Sequence, residues 1–403
     1  MSNLSCKKKY PEVFPPADRP AGLYLHVPFC QAKCRYCDFY SLAMDAALAG
    51  RYVRAAQGEL QAHCGELDAP LASAFLGGGT PSVLGPAMLG ELLEAVGPLT
   101  GPDTEWTVEV NPGTADVDLA RRLRRTGVNR VSIGAQSFDA DELRLLGRIH
   151  DARQVRETFG LLRDQGFENL GLDLIYGLPA PRGEPGQTLA TWRRTLEQAL
   201  ELGPEHLSGY ALSLEAGTPL EADLRAGKVR EMDEPLQRAC YEVMIDLAGS
   251  AGLEQYEISN FARPGRRCRH NLIYWHNLSY LGIGPAAASY VQGQRSTNVR
   301  DLHEYLSRLE AGQAPQAATE CLTGAPLWAE TAMLEPRLRE GIDREVFRRR
   351  FGVDVVEAFP ASIARYAHLG ALHVTPRRVC LGREYLFVAD TVLADIVQEG
   401  NRD

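Results

Sequence analysis

The sequence predicts an α/β fold: an open, partial (β/α)6 barrel followed by a small C-terminal helical or winged module. Three observations carry this expectation. Six short β-rich runs recur from residue 22 to residue 212, and amphipathic stretches separate them. Strands alternating with helices in this way build a parallel sheet. The conspicuous polar residues fall just after those runs, at the C-terminal ends of the strands, which in a parallel barrel is the catalytic face. From about residue 310 the rhythm changes.

The elements follow in order. GLYLHV (22–27) is the first strand, and a cysteine-rich loop comes directly after it. SAFLGG (73–78) runs into GGGTP (77–81) and then the helical PAMLGELLEAV. EWTVEV (105–110) leads to NPG and the helical ADVDLARRLRRTG, and RVSIGA (130–135) to Gln136 with SF. LGLDLIY (170–176) ends in YGLP, and HLSGYAL (206–212) is the sixth run; ARQVRETFGLLRDQG and TLATWRRTLEQALEL precede them as helices. Six units rather than eight leave the barrel open. REVFRRRFG, ASIARYAHLGAL and the strand-like RRVCLG and EYLFVA make the C-terminal module. The expected organisation is a flexible or draped arm over 1–20, a barrel over 21–230, a flanking segment over 231–309 and the module over 310–403.

Composition narrows the function classes. The net charge of −9 argues against general nucleic-acid or anionic-membrane binding. The longest apolar candidate, LGIGPAAASYV (281–291), is too short and glycine-rich to span a membrane. MSNLSCKKKYPEVFPPADRP lacks the apolar segment that a signal peptide carries after its basic residues. Six of the nine cysteines, Cys6, Cys64, Cys240, Cys268, Cys321 and Cys380, are scattered singly. That is not a disulfide framework, and it fits a reducing cytoplasm.

The other three stand together in HVPFCQAKCRYCDFY (26–40). Cys30, Cys34 and Cys37 are spaced C-x3-C-x2-C, one ligand short of a closed zinc or ordinary iron–sulfur site. A zinc knuckle completed by His26 or a distant residue is one reading, and a merely structural loop is another. The third is a [4Fe–4S] cluster with one iron open to a substrate or cofactor. Only the third accounts for a loop that follows the first strand and faces GGGTP and Glu109. Glycines there let backbone groups approach a ligand closely.

This loop, with Tyr36 before its last cysteine, resembles the radical S-adenosylmethionine (SAM) superfamily. The resemblance implies that SAM is the fourth ligand, its amino and carboxylate groups chelating the open iron. It also implies cleavage of SAM by one electron to methionine and a 5′-deoxyadenosyl radical. The series Tyr24, Tyr36, Gly79, Thr80, Glu109, Gln136, Arg148 and Asp173 resembles the SAM-contacting residues of oxygen-independent coproporphyrinogen III dehydrogenase and its relatives. Singly, each has a plainer role: a strand-end carboxylate caps a helix, and an arginine makes a surface ion pair. Their joint register sets them apart.

Two departures turn the resemblance away from the dehydrogenase. CDFYS has Phe39 where that enzyme carries a further cysteine, and its long covering N-terminal extension has no counterpart. CRHNLIYWHN (268–277) contains H-N-x-x-Y-W and resembles the signature of HemW-type heme chaperones, which bind heme and hand it to target proteins. The resemblance implies His270 as iron ligand, with Tyr274 and Trp275 offering flat apolar surface to the macrocycle. Cys268 and His276 are neighbouring alternatives. A plainer reading makes the two aromatics core residues and His270 a satisfied polar one. The C-terminal module departs more from the family, with MLEPRLREGI in place of an LGLR-like run.

The expectation is therefore a heme carrier on a radical-SAM barrel with a [4Fe–4S] cluster, SAM and heme as cargo. Its partners would be heme-acceptor proteins and an electron donor, with a homodimer allowed and neither nucleic acid nor an integral membrane segment. The alternative is a radical-SAM oxidoreductase acting on a tetrapyrrole.

Overall fold

Six strands pair in chain order, each parallel to the next. They are β1 (Gly22–Val27), β2 (Ser73–Gly78), β3 (Glu105–Val110), β4 (Arg130–Gln136), β5 (Leu170–Tyr176) and β6 (His206–Ala211). The structure, a computed structural model, describes residues 22–67, 69–291 and 294–401. The arm expected over 1–20, with Cys6, lies outside the described residues.

The strands are parallel because helices cross between them and cover the outer face. α1 (Ala46–His63) starts where the Asp45 side chain accepts from Leu48 N. α2 (Gly85–Val96), α3 (Val117–Thr126), α4 (Ala140–Leu146), α5 (Ala152–Asp164) and α6 (Leu189–Glu201) follow. Successive strand residues point to opposite faces. In β4 this sorts Val131, Ile133 and Ala135 into the core, while Arg130, Ser132, Gly134 and Gln136 line the lumen.

The sheet is larger than the six strands read from the sequence, reaching twelve. Beyond β6, β7 (Glu254–Gln255) and β8 (Asn260–Ala262) continue antiparallel. On the other edge β9 (Tyr280–Ile283) runs parallel to β1, with Gly22 opposite Tyr280. β10 (Ala288–Val291), β11 (Gln294–Asn298) and β12 (Gln316–Cys321) extend that edge antiparallel. Pairing of β9 with a strand some 250 residues earlier is a tertiary contact that local periodicity cannot announce.

The C-terminal module has the winged layout expected. α8 (Ala325–Leu334) precedes β13 (Ile342–Asp343), α9 (Arg344–Phe351), α10 (Pro360–His368), β14 (Leu372–Val374), β15 (Arg378–Leu381) and α11 (Ala389–Gly400). Its sheet order is β13–β15–β14, antiparallel throughout. One continuous apolar core joins barrel and module, from Leu23 to Ile396. Among the described residues no helix is long and apolar enough to cross a membrane. Seven described cysteines carry free thiols.

Candidate functional site

The β1–α1 loop carries Cys30, Cys34 and Cys37 to the C-terminal mouth of the barrel. Three backbone bonds pin it: Leu42 N to Pro28 O at 2.8 Å, Met44 N to Cys30 O at 3.0 Å, and Arg35 N to Leu146 O at 3.0 Å. The Arg35 guanidinium also pairs with Asp223. All three thiols line one cleft of about 540 Å³ that runs down into the barrel. His26 is no fourth ligand, since Nδ1 lies 3.0 Å from Tyr24 Oη and Nε2 2.8 Å from Tyr40 O. Among the described residues no three His, Cys, Asp or Glu side chains converge on a single-ion centre.

The glycine turn after β2 packs hard against this loop. Gly79 N and Thr80 N donate to Val27 O at 2.8 Å and Phe29 O at 2.7 Å, and a Cβ on Gly79 would come within 2.6 Å of both carbonyl oxygens. Gly78 adopts φ 99°, in the left-handed region that favours glycine. From here a chain of hydrogen bonds crosses the strand ends. Thr80 Oγ1 donates to Cys30 Sγ (3.6 Å) and accepts from Asn111 Nδ2 (2.7 Å). Asn111 Oδ1 accepts from Arg148 Nη2 (2.6 Å), and Arg148 Nη1 donates to Cys34 Sγ (3.2 Å). Two of the three thiols are thus joined through Thr80, Asn111 and Arg148.

That donor set fits an iron–sulfur cluster. Burial, followed by the neighbouring thiols, pushes the Cys37 thiol up to about 11, so iron must displace its proton. The Arg148 guanidinium supplies positive charge beside the sulfurs, and its Nε has no partner among the described residues.

Two carboxylates face the same space. Glu109 accepts from Gly78 N at 3.1 Å, and burial, then the nearby Asp173, pushes it up to about 8. Asp173 accepts from Ser132 Oγ at 3.0 Å and is also raised, chiefly by burial. Two acids held toward neutrality by burial are poised to ionise when a cation arrives. Gln136 sits at φ 64°, a sparsely populated conformation at a strand end.

The structure therefore brings Cys30, Cys34, Cys37, Tyr36, Gly79, Thr80, Glu109, Gln136, Arg148 and Asp173 onto one cleft. Tyr24 stands apart from the lining; its hydroxyl contacts His26, which a Cβ on Gly78 would strike at 2.3 Å. Sequence reasoning missed Asn111, Arg130, His206 and Asn271, which also line the cleft. Alternation in RVSIGAQ and HLSGYA puts Arg130 and His206 on the lumen face but does not tell that the strand starts are interior.

The HNLIYW segment lies at the opposite, closed end. It forms the helix α7 (Arg269–Trp275), whose first N–H groups from Arg269 and His270 reach Glu105 Oε1 at 2.8 and 3.4 Å. Cys268 and Asn271 line the cleft from below. His270 is 2% exposed, and both its nitrogens are engaged: Nδ1 with Ser73 Oγ and Nε2 with Tyr274 Oη, each at 2.8 Å. Its ring stacks on Phe75 at 5.1 Å. In this conformation His270 is a satisfied interior residue and does not face solvent, the plainer of the two sequence readings. Tyr274 packs edge-on against Tyr280 at 4.6 Å, and Arg337 lies 5.6 Å above the Trp275 ring. The His276 side chain is 34% exposed, 3.5 Å from Glu335.

An open parallel barrel with a three-cysteine loop at its mouth, beside a glycine turn and strand-end carboxylates, defines a radical-SAM domain. A family model described as "Radical SAM superfamily" matches residues 24–197, and one described as "HemN C-terminal domain" matches 322–385. A Bacillus subtilis protein named "Heme chaperone HemW" is 31% identical over 93% of this chain and 99% of its own length. A Synechocystis protein of the same name is 37% identical over 80% of this chain and 79% of its own. The chain belongs to the HemW family. The fold is shared with a solved structure of Escherichia coli coproporphyrinogen III oxidase, at TM-score 0.80 and 22% identity over 94% of this chain and 90% of that one.

Proposed function

We propose that this protein binds heme and delivers it to acceptor proteins, on a scaffold that holds a [4Fe–4S] cluster and SAM. The observation that carries the heme reading is the end-to-end likeness to a named heme chaperone, covering 99% of that relative. Cys30, Cys34 and Cys37 would hold the cluster through three thiolates, with Arg148 offsetting their charge. When bound, the reduced cluster would supply SAM with one electron.

Around SAM the chain's own groups divide the work. Gly79 and Thr80 present the turn to its amino group, and Glu109 and Asp173 offer carboxylates to the ammonium or ribose hydroxyls. Gln136, Arg148 and Tyr36 form the rest of the wall, and Tyr24 acts through His26 on the glycine turn. Heme would be taken by the 268–276 segment, with Tyr274 and Trp275 as apolar surface. His270 becomes a ligand once Tyr274 releases Nε2 or Ser73 releases Nδ1; His276, the more exposed alternative, would have to leave Glu335 or Glu340. A reducing cytoplasm, an electron donor, acceptor proteins and a homodimer complete the reading.

The test is transfer. Anaerobically reconstituted protein loaded with heme should fill a heme-free acceptor protein faster than the same heme supplied on serum albumin. Heme that stays on the chain in the presence of acceptor would overturn the reading.

A further inference from the structure

Arg130 opens β4 at the closed end of the barrel and is 2% exposed. Among the described residues its side chain makes one hydrogen bond, a long one from Nη1 to Thr107 Oγ1 at 3.4 Å. Its Nε is buried with no partner among them. Glu105, Asp173 and Cys268 act on the guanidinium through space. Their hydrogen-bonding capacity is directed elsewhere: Glu105 Oε1 caps α7, and Asp173 accepts from Ser132. The charge therefore has neighbours of opposite sign, but the guanidinium's buried N–H capacity is left largely unused, and a buried donor without a partner is costly.

A second orphan lies beside it. His206 Nδ1, at the start of β6, is buried and without a partner among the described residues. Tyr256 Oη accepts from Cys268 N at 3.4 Å and lies 2.8 Å from His206 Nε2; we take the phenol as the donor of this second bond. Nδ1 is then left carrying the ring proton, as a donor. Burial and the nearby Arg130 lower the pKa of His206, keeping it neutral.

The two donors meet at one place. A Cβ built on Gly171 of β5 would lie 3.5 Å from Arg130 Nη2, 3.5 Å from His206 Nδ1 and 3.3 Å from Ser132 Oγ. The strand leaves this spot without a side chain, and Arg130, His206 and Asn271 all line the cleft that opens onto it. A fork of guanidinium donors beside a neutral N–H suits a planar oxyanion.

We propose that Arg130 and His206 form an anion subsite at the barrel floor that takes a carboxylate of the ligand filling the cleft. Its link to the heme reading concerns only the source of the carboxylate, which would be a propionate of the tetrapyrrole. A small free carboxylic acid is the other source.

Two arms of one experiment distinguish these sources, using the full chain and the variants Arg130→Met and His206→Phe. In the first, the thermal midpoint is compared in sodium propionate and in sodium chloride at equal ionic strength. Propionate should protect the parent more than either variant. In the second, heme and its dimethyl ester are titrated into each protein. The parent should prefer the free acid by roughly tenfold or more, the weight of a charge-assisted pair, and Arg130→Met should lose that preference. Should Arg130→Met fail to fold, His206→Phe carries both comparisons. Propionate protection without discrimination against the ester would support the subsite and assign it a small carboxylate. A parent that binds no heme would sink the heme reading while the propionate arm still decided the subsite. Parent and variants responding alike in both arms would overturn it.

Discussion

Tyr274 Oη and His270 Nε2 stand 2.8 Å apart, four residues apart on one short helix, while Ser73 Oγ holds the other imidazole nitrogen. An imidazole with both nitrogens engaged must release one before it can take iron. Tyr274→Phe removes that bond and keeps the ring. Heme should therefore bind this variant faster than the parent in stopped-flow mixing. His270→Ala should lower heme affinity or move the Soret band with iron–sulfur content intact. If neither variant differs from the parent, the iron is taken elsewhere, and His276→Ala and Cys268→Ala identify the ligand.

The cluster prediction is compositional and then electrochemical. Anaerobic reconstitution should give about four iron and four sulfide per chain. Cys30→Ala, Cys34→Ala or Cys37→Ala should abolish this; Cys64→Ala and Cys240→Ala should not. Arg148→Gln removes a charged donor from Cys34 Sγ, which stabilises the more negative, reduced state. The midpoint potential should fall by roughly 60 mV, a tenfold change for one electron, with iron content unchanged. An unmoved potential would mean that the 3.2 Å contact has no electrostatic weight.

Glu109 makes the chain's stability depend on pH. Its carboxyl rises from an ordinary 4.5 to about 8 in the folded protein, so the folded state binds the extra proton between those values. This contribution is full below about 4.5 and is lost as pH rises through about 8. Urea midpoints of Glu109→Gln should fall less steeply over that window, Asp173 and Glu105 sustaining the rest. The same variant should bind SAM more weakly by about 1.5–3 kcal/mol, the range for a hydrogen bond to a charged group. Undiminished SAM affinity would displace Glu109 from the ammonium.

Coproporphyrinogen III should not be turned over. Phe39, 65% exposed at the mouth, replaces the additional cysteine that the dehydrogenase carries. Product analysis with reduced cluster and SAM checks this, and sustained formation of protoporphyrinogen IX would favour the oxidoreductase alternative.

The six barrel strands were legible because each is a short, mostly buried apolar run and a helical stretch separates it from the next. Glu109 and Asp173 were legible only through their joint register with the cysteine loop and the glycine turn, since a lone carboxylate at a strand end ordinarily caps a helix. Arg130 and His206 were not, since both begin strands, where a polar residue ordinarily marks solvent. Only the closed floor beneath them makes them interior, and that floor is built by residues 268–276, far along the chain. His270 is ambiguous for a related reason: a histidine beside aromatics reads alike whether it awaits iron or fills a core. Its bond to Ser73, nearly 200 residues away, is silent in any local window.

Arg350 of the C-terminal module donates to His276 O at 2.8 Å and to Asn277 O at 2.5 Å. The module therefore grips the end of the very segment that closes the barrel. The mouth answers to a loop near the start of the chain, the floor to its last quarter. The last quarter of the chain is thus tied, through main-chain carbonyls alone, to the segment beneath the cleft, well away from the cysteine loop.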